Sequence, residues 1–189
     1  TAKEVCTGQQ LDLDFEKKGV VSEEEYLRMI ELKTAVLVAA SLKLGAIIGD
    51  ASEKDQDLLY EFGRCLGIAF QIQDDVLDTY GDTKMFGKKT GSDIAANKKT
   101  YLLVKALELA GGEKLSRLRG LLGPDNHDPE KKFREVLAIY DELEIRLKAE
   151  NLAYEYFNKG FQALDNVSVK PERKNELKQL AVNLIGRVK

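Results

Sequence analysis

One stretch in the middle of the chain, Phe70-Gln71-Ile72-Gln73-Asp74-Asp75-Val76-Leu77-Asp78, limits the possible folds more than any other. At about 100° per residue, a helix places Gln71, Asp74, Asp75 and Asp78 within an arc of roughly 100°. Three carboxylates and an amide then share one face, while Phe70, Ile72, Val76 and Leu77 supply apolar surface around them. The apolar residues place the acidic face on a packed helix, where it is expected to form a cleft wall. Like charges at this spacing repel, so selection for stability alone would avoid them or interleave Lys and Arg. A divalent cation relieves the repulsion. Hard oxygen donors with no histidine or thiol nearby suit magnesium, which binds through one or two carboxylates plus substrate phosphates. Taken without context, the same aspartates equally fit a solvated acidic face.

The rest of the sequence points to an all-α fold. From Ser22 to Lys105 apolar residues recur at helical spacing, and strand-like alternation is hard to find anywhere. Only three prolines and 7% aromatics also favour helices over a sandwich or barrel. Ser22 followed by Glu25 reads as a capping box, and Ala51-Ser52-Glu53 restarts a helix after Gly49 has ended the one before. The expected helices run from about Ala2 to Phe15, Glu23 to Gly49 and Lys54 to Tyr80. After a Gly- and Lys-rich loop, Gly81 to Gly91, a further helix is expected from about Ile94 to Ala110. A turn at Gly111-Gly112, a short helix to Leu122 and a loop from Gly123 to Pro129 follow. Phe133, Val136, Leu137, Tyr140, Leu143 and Leu147 form one apolar stripe, and Pro171 precedes a closing helix from Glu172 to about Gly186. With 189 residues, 43% of them apolar, and no repeat or linker, the chain reads as a single domain.

Charge and cysteine usage narrow the function. The formal charge is −3, which argues against a nucleic-acid binder, so any anionic ligand needs a local cluster of cations. Cys6 and Cys65 stand far apart with no CxxC, and His127 is the single histidine, so zinc and Cys/His nucleophile chemistry are not expected. The usage fits a reducing, cytoplasmic compartment. The most apolar stretch, Ala35 to Gly49, includes Lys43 and is too short to span a bilayer, so no transmembrane segment is expected. A local cationic cluster does follow the aspartates: Lys84, Gly87-Lys88-Lys89, Gly91, Asp93, then Asn97-Lys98-Lys99-Thr100. Lysines placed there can neutralise a diphosphate bridged by metal, although a lysine-rich loop is also ordinary soluble surface. Lys33-Thr34, just before the apolar run, reads alone as a helix-surface pair. In Gly8-Gln9-Gln10-Leu11-Asp12-Leu13, Gln9 and Asp12 share a face, which an intrahelical hydrogen bond would explain.

In their order these pieces resemble a known family. GQxxDL at Gly8 to Leu13, KT at Lys33-Thr34, FQxxDDxxD at Phe70 to Asp78, and GKxxGxD with a following NK at Gly87 to Lys98 resemble the trans-isoprenyl diphosphate synthases, or polyprenyl synthetases. The likeness is continuous from about Val5 to Lys105. It implies an isoprenoid-synthase-type helical bundle around a deep cavity, and condensation of an allylic diphosphate with isopentenyl diphosphate. By similarity Asp74, Asp75 and Asp78 would bind Mg2+. Lys33, Lys88 and Lys98 would hold the allylic diphosphate, with Lys89 leaving the loop lysine ambiguous by one residue. Phe70 would line the substrate site, and Thr34 and Gln71, with Lys33, would act at the reacting carbon. The resemblance also implies a homodimer. No DDxxD occurs other than Asp74 to Asp78, so the chain resembles the C-terminal part of a synthase, incomplete at its N-terminus and inactive alone. A non-catalytic regulatory or scaffolding relative is the alternative. In a part of such a bundle, apolar surface is expected to be uncovered on Ala35 to Gly49 and on Leu66 to Phe70.

Overall fold

Polar caps set where the helices begin. Ser22 Oγ accepts the Glu25 N–H at 3.1 Å while Glu25 Oε2 accepts the Ser22 N–H at 3.0 Å, so the capping box forms as the sequence suggests. Ser52 Oγ accepts from the Asp55 N–H, Thr100 Oγ1 from that of Leu103, and Asp128 Oδ1 from those of Glu130 and Lys131. The structure is a computed structural model and describes residues 1–81, 91–123 and 128–185. Among these, all regular structure is helical. The order is α1 (Ala2–Lys17), α2 (Glu23–Ile30), a π-helical turn (Glu31–Ala35), α3 (Val36–Ile48), α4 (Glu53–Tyr80), α5 (Ser92–Ala95) and α6 (Tyr101–Leu109). Then come α7 (Gly112–Leu121), α8 (Pro129–Glu142), α9 (Ile145–Asp165), a 3₁₀ turn (Pro171–Lys174) and α10 (Asn175–Ile185). Most of the loop expected from Gly81 to Gly91, part of the one from Gly123 to Pro129, His127 and Gly186 lie outside the described residues.

Three expectations change. The single helix from Ile94 to Ala110 is two helices, because Asn97 adopts a left-handed φ of 55° and Thr100 caps a new start. Asn tolerates that conformation better than most residues, and apolar periodicity passes over it unmarked. The stripe from Phe133 to Leu147 is likewise divided: Glu144, at φ 53°, ends α8, and Leu147 belongs to α9 with half its surface exposed. The helix from Glu23 to Gly49 does run on, but it widens into a π turn at Glu31–Ala35, which contains Lys33 and Thr34. One extra residue per turn re-aims the side chains that follow, and such turns recur at functional sites.

Close backbone approach explains how these helices pack. A Cβ on Gly8 of α1 would lie 2.3 Å from the Lys33 amide nitrogen, so the π turn rests directly on α1. A Cβ on Gly67 of α4 would lie 2.5 Å from Ala35 Cα. On another side of α4, Gly160 brings α9 against Phe62 and Cys65. Around α4 the main core gathers Tyr26, Ile30, Ile68, Ile72, Leu102, Ile139, Tyr140 and Ile145, all at most 2% exposed. A smaller cluster of Phe62, Leu66, Leu164 and Ala181 joins α4 to α9 and α10. Leu66 and Ile68 are therefore buried, contrary to the expectation of uncovered surface there: α9 and α10 cover Leu66, and Ile68 belongs to the main core. The expectation for α3 holds: Leu37, Leu44, Ile47 and Ile48 are exposed. No helix among the described residues is long and apolar enough to cross a membrane.

The contact at Gly67 yields a test. Gly67→Ala drives a methyl group into the Ala35 backbone and should cost about 1–3 kcal/mol of stability. Gly45→Ala on α3, where an added Cβ meets nothing within 4 Å, should be neutral or stabilising. Urea denaturation of both variants measures the difference, and equal stabilities would refute the close-approach account.

Candidate functional site

The C-terminal half of α4 does not present its three aspartates alike. Asp75 is 3% exposed, at the meeting of α2, α4 and the start of α6. Its Oδ2 accepts the Tyr26 hydroxyl at 2.6 Å and the Tyr101 N–H at 2.9 Å, while Oδ1 accepts from Gln71 Nε2 at 3.2 Å. Burial pushes its carboxyl up to about 6, against the pull of those three donors and of the nearby Lys98. The same burial, with Asp75 alongside, pushes the Tyr26 hydroxyl well above its ordinary range. Gln71 extends the network outward, since its Oε1 accepts from Thr34 Oγ1 at 3.2 Å. The amide is thereby oriented, oxygen toward the π turn and nitrogen toward Asp75.

Asp78 is half-buried and serves a different purpose. Its Oδ1 accepts from Ser92 Oγ at 2.6 Å and its Oδ2 from the Asp93 N–H at 2.9 Å, so it tethers α5 to α4. Each oxygen has used one of its lone pairs. Asp74 is exposed and makes no hydrogen bond or ion pair with any described residue. The three carboxylates therefore diverge, and no group of three or more His, Cys, Asp or Glu at metal-holding geometry occurs among the described residues. The donor set still fits a hard divalent ion at its outer edge. Toward the described residues Asp74 has both oxygens open and Asp78 keeps free lone pairs, and water and phosphate oxygens complete such a shell. Both oxygens of Asp75 are already engaged by Tyr26, Tyr101 and Gln71.

Two lysines arrive from distant parts of the chain. Lys33, on the π turn, pairs with Asp12 of α1, so the aspartate of the GQxxDL segment reaches across to another helix and makes no bond within its own. Lys98 pairs with Asp93 at 3.3 Å. Burial works against the charge of Lys98, but Asp93 and Asp75 outweigh it and raise its pKa. Burial in turn raises the Asp93 carboxyl, with Lys98 opposing and Asp78 assisting. A cavity of about 20 Å³ lies where Asp12, Lys33, Gln71, Asp75 and Lys98 converge, enough for about one water molecule. Thr34 and Phe70 are half-buried nearby in sequence on the π turn and α4. Lys88 and Lys89 lie outside the described residues. Sequence reasoning missed Tyr26, although it stands two helical turns before Lys33. It paired Asp12 with Gln9 of its own helix, where the structure pairs it with Lys33, and noted Asp93 without its partner Lys98.

The helical architecture is that of the isoprenoid synthases. A crystal structure of a geranylgeranyl pyrophosphate synthase superimposes with a TM-score of 0.91 at 38% identity, over 100% of this chain and 58% of that one. The chain belongs to the polyprenyl synthetase family, whose sequence profile matches residues 1–140. It is 42% identical to the short chain isoprenyl diphosphate synthase of Methanothermobacter thermautotrophicus over 93% of its own length and 50% of the relative's. A polyprenyl synthase from Caulobacter crescentus, solved with calcium and isoprenyl diphosphate, matches with a TM-score of 0.84 at 28% identity, over 99% of this chain and 56% of that one. The chain spans about half the length of the curated relatives it matches.

The buried carboxylate makes stability depend on pH. Folding raises the Asp75 pKa from 3.8 to about 6, so its contribution is fully present below pH 4 and is lost as pH rises through 6. A shift of about two units corresponds to about 3 kcal/mol. Asp75→Asn removes this dependence, so the variant should gain on the parent chain by about that amount between pH 4 and pH 7. Urea denaturation at both values measures it; parallel pH profiles would show that Asp75 is not desolvated.

Proposed function

We propose that this chain supplies the allylic-diphosphate side of a prenyltransferase site, which joins an allylic diphosphate to isopentenyl diphosphate with Mg2+. The observation that carries the proposal is the convergence of Lys33 and Lys98 on one cavity with Gln71 and Asp75, while Asp74 stays open to solvent. Lys33 and Lys98 bind diphosphate oxygens as point charges, and Lys88 adds a third. Asp74 and Asp78 hold the metal. Magnesium, when bound, neutralises charge on the departing diphosphate.

Breaking the allylic C–O bond sends the electron pair to the diphosphate and leaves a carbocation. The oxygens of Thr34 and Gln71 face the positive carbon, and Gln71 keeps that orientation because Asp75 holds its nitrogen. Phe70 and its apolar neighbours exclude water that would trap the cation as an alcohol. The double bond of isopentenyl diphosphate attacks, a new C–C bond forms, and a proton leaves to the released diphosphate. In this proposal Asp75, at the wall of the same cavity, orders the groups that hold metal and substrate and is not itself a metal ligand. The chain has no second DDxxD, so we place the opposing carboxylates and most of the isopentenyl diphosphate contacts on a segment outside these residues.

Two outcomes test the reading. Calorimetric titration with inorganic pyrophosphate should show binding that strengthens with Mg2+. Asp74→Ala should abolish the Mg2+ effect while changing the melting temperature little, since its carboxylate contacts no described residue. An unchanged Mg2+ effect in Asp74→Ala contradicts the metal assignment. Assayed alone with radiolabelled isopentenyl diphosphate and an allylic primer, the 189-residue chain should give no product. Full turnover by the chain would refute the division of the site.

A further inference from the structure

Lys132 is an anomaly on α8. Lysine is almost never fully buried unless paired with an acid, yet Lys132 is 6% exposed and forms no salt bridge with a described residue. Its Nζ donates instead to Ala95 O at 3.0 Å and to Asn97 Oδ1 at 2.6 Å. The amide on the other side of Asn97 donates to Leu122 O at 3.0 Å, and the residue holds its left-handed backbone between these two anchors. At the opposite end of the same segment, Gly91 lies against Phe133, whose ring would be 2.4 Å from a Cβ there. Neighbouring residues of α8 thus grip both ends of residues 91–97.

What the grip controls lies between and just beyond its two ends. Ser92 and Asp93 bond the two oxygens of Asp78. Lys98 follows Asn97 directly, and its N–H donates to Asp93 O at 3.0 Å. Burial of this ammonium group, with no carboxylate of the described residues against it, desolvates Lys132 and lowers its pKa. A methionine would fill the same space without that cost, so packing alone does not account for the lysine.

We infer that Lys132 is a positioning residue for diphosphate binding: by fixing Ala95 and Asn97 it sets the direction in which Lys98 enters the site. This rests on the proposed role of Lys98 and deepens it, adding a residue far along the chain from the acidic and basic motifs.

A double-mutant cycle in the 189-residue chain, titrated with inorganic pyrophosphate and Mg2+, tests the inference. Lys132→Met should weaken binding about tenfold in the parent chain and hardly at all in a Lys98→Gln background, the non-additivity expected of residues acting as a unit. Asn97→Gly deletes the acceptor, keeps the backbone conformation accessible and leaves Lys132 in place. It should show the same dependence on Lys98 and carries the test by the same rule if Lys132→Met fails to fold. If Lys98→Gln weakens binding but the other two variants are without effect, or lose equally in both backgrounds, the inference is overturned and the role of Lys98 stands. If the parent chain does not bind pyrophosphate, or Lys98→Gln binds as the parent does, the role of Lys98 falls and the inference with it.

Discussion

The arrangement of the site depends on one buried carboxylate. An ion as enclosed as Asp75 is tolerated only when its oxygens are met by donors, and here the donors come from different helices. Tyr26 brings α2, the Tyr101 N–H brings the first turn of α6, and Gln71 comes from one turn back on α4. Each bond satisfies Asp75 and also fixes the position of its donor. Through Tyr101 the carboxylate locates the start of α6 and so the lysines just before it; through Gln71 it locates an amide that meets the π turn. The first-turn N–H groups of α6 lack intrahelical partners, which makes that point a natural seat for negative charge.

A second constraint acts from the other side. Gly8 and Gly67 let α1 and α4 approach the π turn from two directions, and the extra residue in that turn sets where Lys33 and Thr34 point. Lys33 is then held by Asp12 of α1, while Thr34 reaches Gln71 of α4. The polar groups of the cavity are thus carried by rigid helices whose spacing is fixed by backbone contact, the condition under which preorganised charges act without rearrangement.

What could be read from the sequence was whatever breaks the helical pattern with charge. The acidic face at Gln71 to Asp78 stands out because a stable helix alone does not need it, the capping box at Ser22 because it marks where a helix begins, and Lys33-Thr34 only by its place among the other motifs. The family likeness followed from their order. The inward turn of Asp75 was not visible, because a helical wheel gives the arc shared by Asp74, Asp75 and Asp78 but not which member meets Tyr26 of another helix. The breaks at Asn97 and Glu144 were hidden for a related reason: single left-handed residues interrupt a helix without interrupting its apolar periodicity. Lys132 reads in sequence as one more surface lysine. Only the packing of α8 on α5 and its following turn reveals that it is enclosed.

The central claim is a division of labour within one motif, with Asp75 organising the site and Asp74 facing the ligand. A crystal structure of the chain with Mn2+ and pyrophosphate, phased to show the anomalous signal of the metal, tests it most directly. The account predicts an anomalous peak within coordination distance of Asp74, with Asp75 still bonded to Tyr26 and to the Tyr101 N–H. Metal bound by the Asp75 carboxylate, with the Tyr26 bond broken, would contradict it.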